Sequence, residues 1–142
     1  MHILSIFLTM AGFVIGLGAV TVIDLHGFLG RTSGYWTEAT IRTHKVTKPL
    51  IWIGILLVIA GHILLASSGM NIALWKFVVM GIMILNGYFL SFVVSPELLR
   101  RERESRATEL LPQNLQTKII ISFVVSFLSW WGLLVSFVFL LK

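Results

Sequence analysis

Residues 3–23 read ILSIFLTMAGFVIGLGAVTVI, with no Asp, Glu, Lys or Arg among them. Three further stretches share that property: residues 49–75, 77–96 and 119–141. A charged side chain at the centre of a bilayer costs at least about 2.5 kcal/mol, and about 20 apolar residues in a helix cross the hydrocarbon. Each stretch therefore predicts a membrane-spanning helix, at about 3–29, 49–68, 72–95 and 118–141. Little of the chain is left over. The expectation is one domain, residues 1–142, an all-α integral-membrane four-helix bundle with the lipid bilayer as its main partner.

The composition agrees. The 142 residues are 57% hydrophobic and 12% charged, against about 25% charged in a soluble domain. A formal net charge of +5 could point to nucleic acid in a soluble protein. Here the basic residues flank apolar stretches, so a positive-inside bias accounts for them and nucleic acid is not an expected partner. The absence of cysteine excludes disulfides, thiolate metal sites, iron–sulfur clusters and covalently attached haem. Met1-His2-Ile3-Leu4 lacks the basic start of a signal peptide, so the first apolar stretch is expected to be retained as a span.

The loop charges give an orientation. Arg31, Arg42, Lys45 and Lys48 lie in the first connection, and Arg100, Arg101, Arg103, Arg106 and Lys118 in the third. The other side has only Lys76 and Lys142. This asymmetry places connections one and three in the cytoplasm and both termini outside.

Local signals set the boundaries. Pro49 suits the first turn of span two, where its missing N–H would be unpaired anyway. Ser67-Ser68-Gly69 ends that span, and the short connection to Trp75 makes spans two and three antiparallel neighbours. Ser95-Pro96 closes span three and reads equally as the start of a short cytoplasmic helix running to about Leu111, before Pro112. Glu97/Arg101, Arg100/Glu104 and Glu102/Arg106 would pair along it at i,i+4. Such a helix is either solvated and self-paired or a face for another protein. Trp52 and Trp75 suit the interfacial aromatic belts. Trp130-Trp131 fall mid-span, where they either face lipid or pack on a glycine-rich surface.

Helices in lipid associate through close backbone approach and a few hydrogen bonds. Gly12-x-x-x-Gly16, extended by Ala19, offers such a patch on span one. Gly54 and Gly61 share a face of span two, and Ser122, Ser126, Ser129 and Ser136 form a stripe on span four. Asn86 at the centre of span three should point inward to a hydrogen-bond partner, as a structural clamp or as part of a transport site. Asp24 is the only carboxylate close to a span.

The candidate ligands are histidines and methionines. Spans one and two run antiparallel, so His26 and His44 should lie at similar depth and could hold a metal or a haem iron. If the first helix continues to Gly30, Asp24 and His26 are about 200° apart and cannot both face one ion. His62 lies inside span two, with Met10, Met80 and Met83 at comparable depth. That combination fits copper(I) through thioethers or a b-type haem. A neutral His62 bonded to serine, asparagine or a carbonyl fits equally. No nucleophile–base set, phosphate-binding glycine loop or carboxylate pair occurs, so no enzyme is expected.

Gly16 to Asp24, Ile51-Trp52-Ile53-Gly54 with Gly61, Leu85-Asn86-Gly87 and Val94-Ser95-Pro96 carry a likeness covering roughly the first hundred residues. This pattern resembles a group of small four-helix bacterial inner-membrane proteins, distant relatives of the copper-resistance protein D type. The resemblance implies a multi-pass protein of a prokaryotic cytoplasmic (inner) membrane and supplies no catalytic residue. The resulting expectation is a non-catalytic structural or accessory subunit, in contact with other membrane subunits or self-associated. A haem b or copper binder using His62, or His26 with His44, is the second expectation, and a small-solute transporter component the third.

Overall fold

The computed structural model describes residues 2–140. Four helices long and apolar enough to cross a membrane make up the fold: α1 (His2–Leu29), α2 (Gly34–Ser67), α3 (Leu74–Arg103) and α4 (Gln113–Leu140). The expected end of span four at Leu141 and the outer charge at Lys142 lie outside the described residues. Among the described residues there is no strand.

The helices outrun the apolar stretches. At 1.5 Å per residue, the 34 residues of α2 are about 51 Å long, against about 30 Å of hydrocarbon. The excess lies at the basic end. Residues expected in a long first connection are helical from Gly34, and the true turn is only Gly30 to Ser33. Thr37 Oγ1 closes that turn by donating to the carbonyls of Gly30 (2.8 Å) and Ser33 (3.0 Å). Pro49 consequently sits inside α2 and not at its first turn. Hydropathy marks where lipid ends, whereas helix ends are set by capping and hairpin contacts.

Ser95-Pro96 likewise opens no separate helix. α3 passes through it and ends at Arg103, well before Leu111. The reason is a π-helical turn over Leu90–Val94, where the Ser95 amide donates to the Leu90 carbonyl in the wider i→i+5 register. In that register Pro96 would serve the Ser91 carbonyl, but it has no N–H to give. Lys48 Nζ, from α2, takes that carbonyl instead at 3.3 Å. A second π-helical turn, Phe13–Leu17, lies in α1.

Both ends next to longer connections close with Schellman caps. Beyond α2, the amides of Gly69 and Met70 reach the carbonyls of Ala66 (3.1 Å) and Leu65 (3.3 Å), with Gly69 at φ +90°. Beyond α3, the amides of Ser105 and Arg106 reach Glu102 (3.1 Å) and Arg101 (2.8 Å), with Ser105 in the left-handed region at φ +59°.

α1 and α2 meet through their glycines. A Cβ on Gly12 would stand 2.7 Å from the Val58 amide nitrogen, and one on Gly54 would collide with the Gly16 backbone. A Cβ on Gly61 would stand 2.8 Å from the Ser5 carbonyl. Only hydrogen fits between these backbones, so the dispersion contact extends along three turns. α4 closes the other side. Trp130, 2% exposed, lays its ring tip on Gly16 and meets Phe13 edge-on at 6.3 Å. Its neighbour Trp131 is 41% exposed and stacks toward Phe127 at 6.0 Å. Of the two settings open to this pair in the sequence, each tryptophan takes one.

α3 joins α4 through Asn86, which accepts from Ser122 Oγ at 2.7 Å and donates to the Ser122 carbonyl at 3.3 Å. At the basic end, Lys45 of α2 pairs with Glu102 of α3 at 2.7 Å. Glu102 is thereby taken from the expected pairing with Arg106, whose guanidinium turns to Glu109 (2.8 Å) and Glu104 (3.3 Å). Glu97 pairs with Arg101 (3.2 Å) and Arg100 pairs with Glu104 (3.7 Å), as their spacing implies.

Candidate functional site

Polar side chains from three helices converge where the apolar stretches give way to the basic end. α1 brings Asp24, α2 brings Thr40, His44 and Lys48, and α3 brings Ser91. They line a cavity of about 50 Å³ whose remaining wall is apolar, including Ile51, Trp52, Leu90 and Ile119. One water needs about 10–15 Å³ of such space, so this cavity has room for a few waters or one small polar group.

The local fold explains each placement. The α1–α2 hairpin sets Asp24 beside the His44 turn of α2. The π-helical turn at Leu90–Val94 carries Ser91 toward α2, where Trp52 Nε1 donates to its hydroxyl at 3.1 Å and Lys48 Nζ to its carbonyl. Trp52 therefore works as an internal bond donor, although its position near the basic end had suggested a belt residue. Lys48 also stands over the Phe92 ring, 5.7 Å from its centroid.

Asp24 has a second and a third setting. It lines a smaller cavity of about 20 Å³ reaching toward the bundle centre, together with Met83, Asn86 and Ser126. It also lines a groove of about 280 Å³ on the outer surface between α1 and α4, walled by Leu17, Phe28, Phe123, Phe127 and Trp131. Asp24 is thus shared between an apolar groove on the outer surface and two interior cavities that carry a few polar side chains. Among the described residues no hydrogen bond or ion pair engages its carboxylate. His44, 8% exposed, has an Nε2 without a partner.

The other candidate residues are dispersed. His26 does not line the cavity that His44 lines, and its ring packs against Trp36 at 5.2 Å. His62 is 0% exposed, with Nδ1 2.9 Å from the Val58 carbonyl, its ring 5.7 Å from Phe137, and Nε2 unpartnered. Met80 and Met83 are buried in the main core with Phe13 and Trp130. Met10 is 43% exposed on the outside of α1, which turns it away from the core that holds Met80 and Met83. Among the described residues no group of three or more His, Asp or Glu side chains could hold a metal ion.

In the sequence Asp24 and His44 stand out singly, whereas their common cavity, and the place of Thr40, Lys48 and Ser91 in it, come from the structure. One signal is present in the sequence: Asp24 is the first charged residue after the uncharged run of α1 and the only carboxylate inside an expected span.

By length and apolarity of its helices, the fold is that of a four-helix, multi-pass membrane protein. Comparison with protein-family models, with curated proteins and with solved structures finds no match.

Proposed function

We propose that this protein is a non-catalytic component of a prokaryotic cytoplasmic membrane that binds a small ligand where Asp24 divides the α1–α4 groove from the His44–Lys48 cavity. One observation carries the reading. An ionisable side chain without a protein partner, set between an apolar outer groove and a small cavity that also receives His44, Lys48 and Ser91, is costly to keep for packing alone. A bound molecule would satisfy Asp24 and His44 Nε2 together.

In this reading the turn Gly30 to Ser33 and the connection after Arg103 face the cytoplasm, following the loop charges. Reporters fused after Ser33 and within Ser67-Ser68-Gly69 test that arrangement. Activity of a periplasmic reporter at the first site would reverse it.

A panel of lipophilic cations, fatty acids and neutral lipids, screened by thermal shift of the detergent-purified protein, tests the binding itself. At least one class should raise the melting temperature saturably in the native protein and not in His44→Ala. If no class does so, the reading is wrong.

A second reading is an accessory subunit of a larger membrane assembly. Its support is the aromatic ladder of α4, with Phe123, Phe127 and Trp131 in tilted ring contact at 6.1 and 6.0 Å. Co-purification of a stoichiometric partner in mild detergent, lost in Phe127→Ala, would favour it. A monodisperse single species would count against it.

A further inference from the structure

The groove between α1 and α4 carries fewer polar side chains than the cavity behind it. Its wall is aliphatic and aromatic, with Leu25, Phe28, Phe127 and Trp131 all exposed toward the surroundings. The one hydroxyl on that wall, Thr21, already donates to the Leu17 carbonyl at 2.7 Å. Asp24 is the only charged side chain lining the groove.

The charge arrangement selects the sign of that newcomer. Two cations lie nearby: Lys48 on the interior side donates to the Ser91 carbonyl and stands over Phe92, and Arg31 stands over the Phe28 ring, 5.5 Å from its centroid. Neither makes an ion pair with Asp24. A carboxylate that shares its groove with the Phe127 and Trp131 rings favours a positively charged head: Coulomb attraction acts in a low-dielectric setting, and these two rings, unlike Phe28 under Arg31, can add cation–π attraction. An anionic head on that side would meet the carboxylate first. The groove, about 280 Å³, approaches the lower end of small-molecule sites, about 300 Å³, and its open side lets a larger apolar part remain in lipid.

The geometry points to a lateral binding site for a lipophilic cation, an amine or quaternary onium whose positive centre docks on Asp24 and whose apolar body lies against Phe28, Phe127 and Trp131. This inference rests on the ligand-binding reading above and specifies its ligand class. The His44–Lys48 cavity then takes the waters that hydrate the inner side of the carboxylate.

Two ions of the same shape and opposite charge test it. Tetraphenylphosphonium and tetraphenylborate are titrated separately into the full-length protein in dodecylmaltoside, with tryptophan fluorescence and equilibrium dialysis as readouts. The phosphonium should bind saturably and at least tenfold more tightly than the borate. Asp24→Asn should lower phosphonium affinity at least tenfold and erase the preference. Trp131→Ala should lower it several-fold, and Glu38→Gln, at the exposed pair with Arg42, should leave it unchanged. If Asp24→Asn does not fold, the comparison of the two ions on native protein decides alone. A preference for the borate overturns the cation site while leaving a ligand-binding protein. Equal binding, or binding that survives Asp24→Asn, reduces it to partition into the micelle. No saturable binding of either ion overturns the cation site, and the thermal-shift screen then says whether the broader reading falls as well.

Discussion

Substituting Gly54 by alanine tests the packing on which the site depends. A Cβ at this position would collide with the Gly16 Cα, lie 2.7 Å from the Gly16 nitrogen and lie 2.9 Å from the Gly12 carbonyl oxygen. All three neighbours are backbone, so no side chain can rotate away. Ordinary carbon contacts begin at about 3.5 Å, so α1 and α2 must part by roughly 1 Å. A gap of that size forfeits about a quarter to a half of the dispersion well for each pair along the seam. Overpacking of this kind costs about 1–3 kcal/mol, and a contact with unyielding backbone belongs at the upper end. Alanine recovers up to about 1 kcal/mol through helix propensity. The net expectation is a loss of about 2 kcal/mol. Gly81→Ala is the control, because nothing lies within 4 Å of a Cβ there, and it should gain up to about 1 kcal/mol. Unfolding in mixed micelles with rising SDS, followed by tryptophan fluorescence, measures both. Stabilities agreeing within about 0.5 kcal/mol would refute the argument that this seam is closed to a methyl group.

Other substitutions address single bonds. Asn86→Leu removes the α3–α4 link to Ser122 and should cost about 0.6–2 kcal/mol in the same assay; no change would mean the link contributes nothing in lipid. Ser105→Gly relieves a serine held at φ +59° and should stabilise by about 0.5–1 kcal/mol, whereas a loss would show that the hydroxyl has a role. His62→Leu deletes a fully buried ring with an unpartnered Nε2 and should leave stability unchanged or raised. A loss above about 2 kcal/mol, together with loss of a Soret band or of bound copper, would instead assign His62 a native ligand.

The apolar stretches could be read because a charge within the hydrocarbon is costly enough to be excluded from each of them. The glycine pattern could be read for the same physical reason that makes it work: close backbone approach needs residues without Cβ. Gly12, Gly16, Gly54 and Gly61 do sit in one seam. Helix ends were less legible. Residues 34–48 are polar, and polarity alone does not separate a loop from a helix that continues beyond lipid. The hydrogen bonds of Thr37 to the turn, and the helix docking behind it, settled that point.

The site was legible only in part. Asp24 and His44 stood out as single residues, but their shared cavity depends on the angle between two helices and on where α3 swings inward. That swing comes from a π-helical turn, and its open Ser91 carbonyl is claimed by a lysine 43 positions away in sequence. Sequence alone determined that the chain has four stretches long and apolar enough to cross a membrane as helices, because each residue's transfer energy is a local property. Only the tertiary structure decided that Asp24 separates a groove from a cavity, because that role is a relation among helices whose contacts no single span encodes.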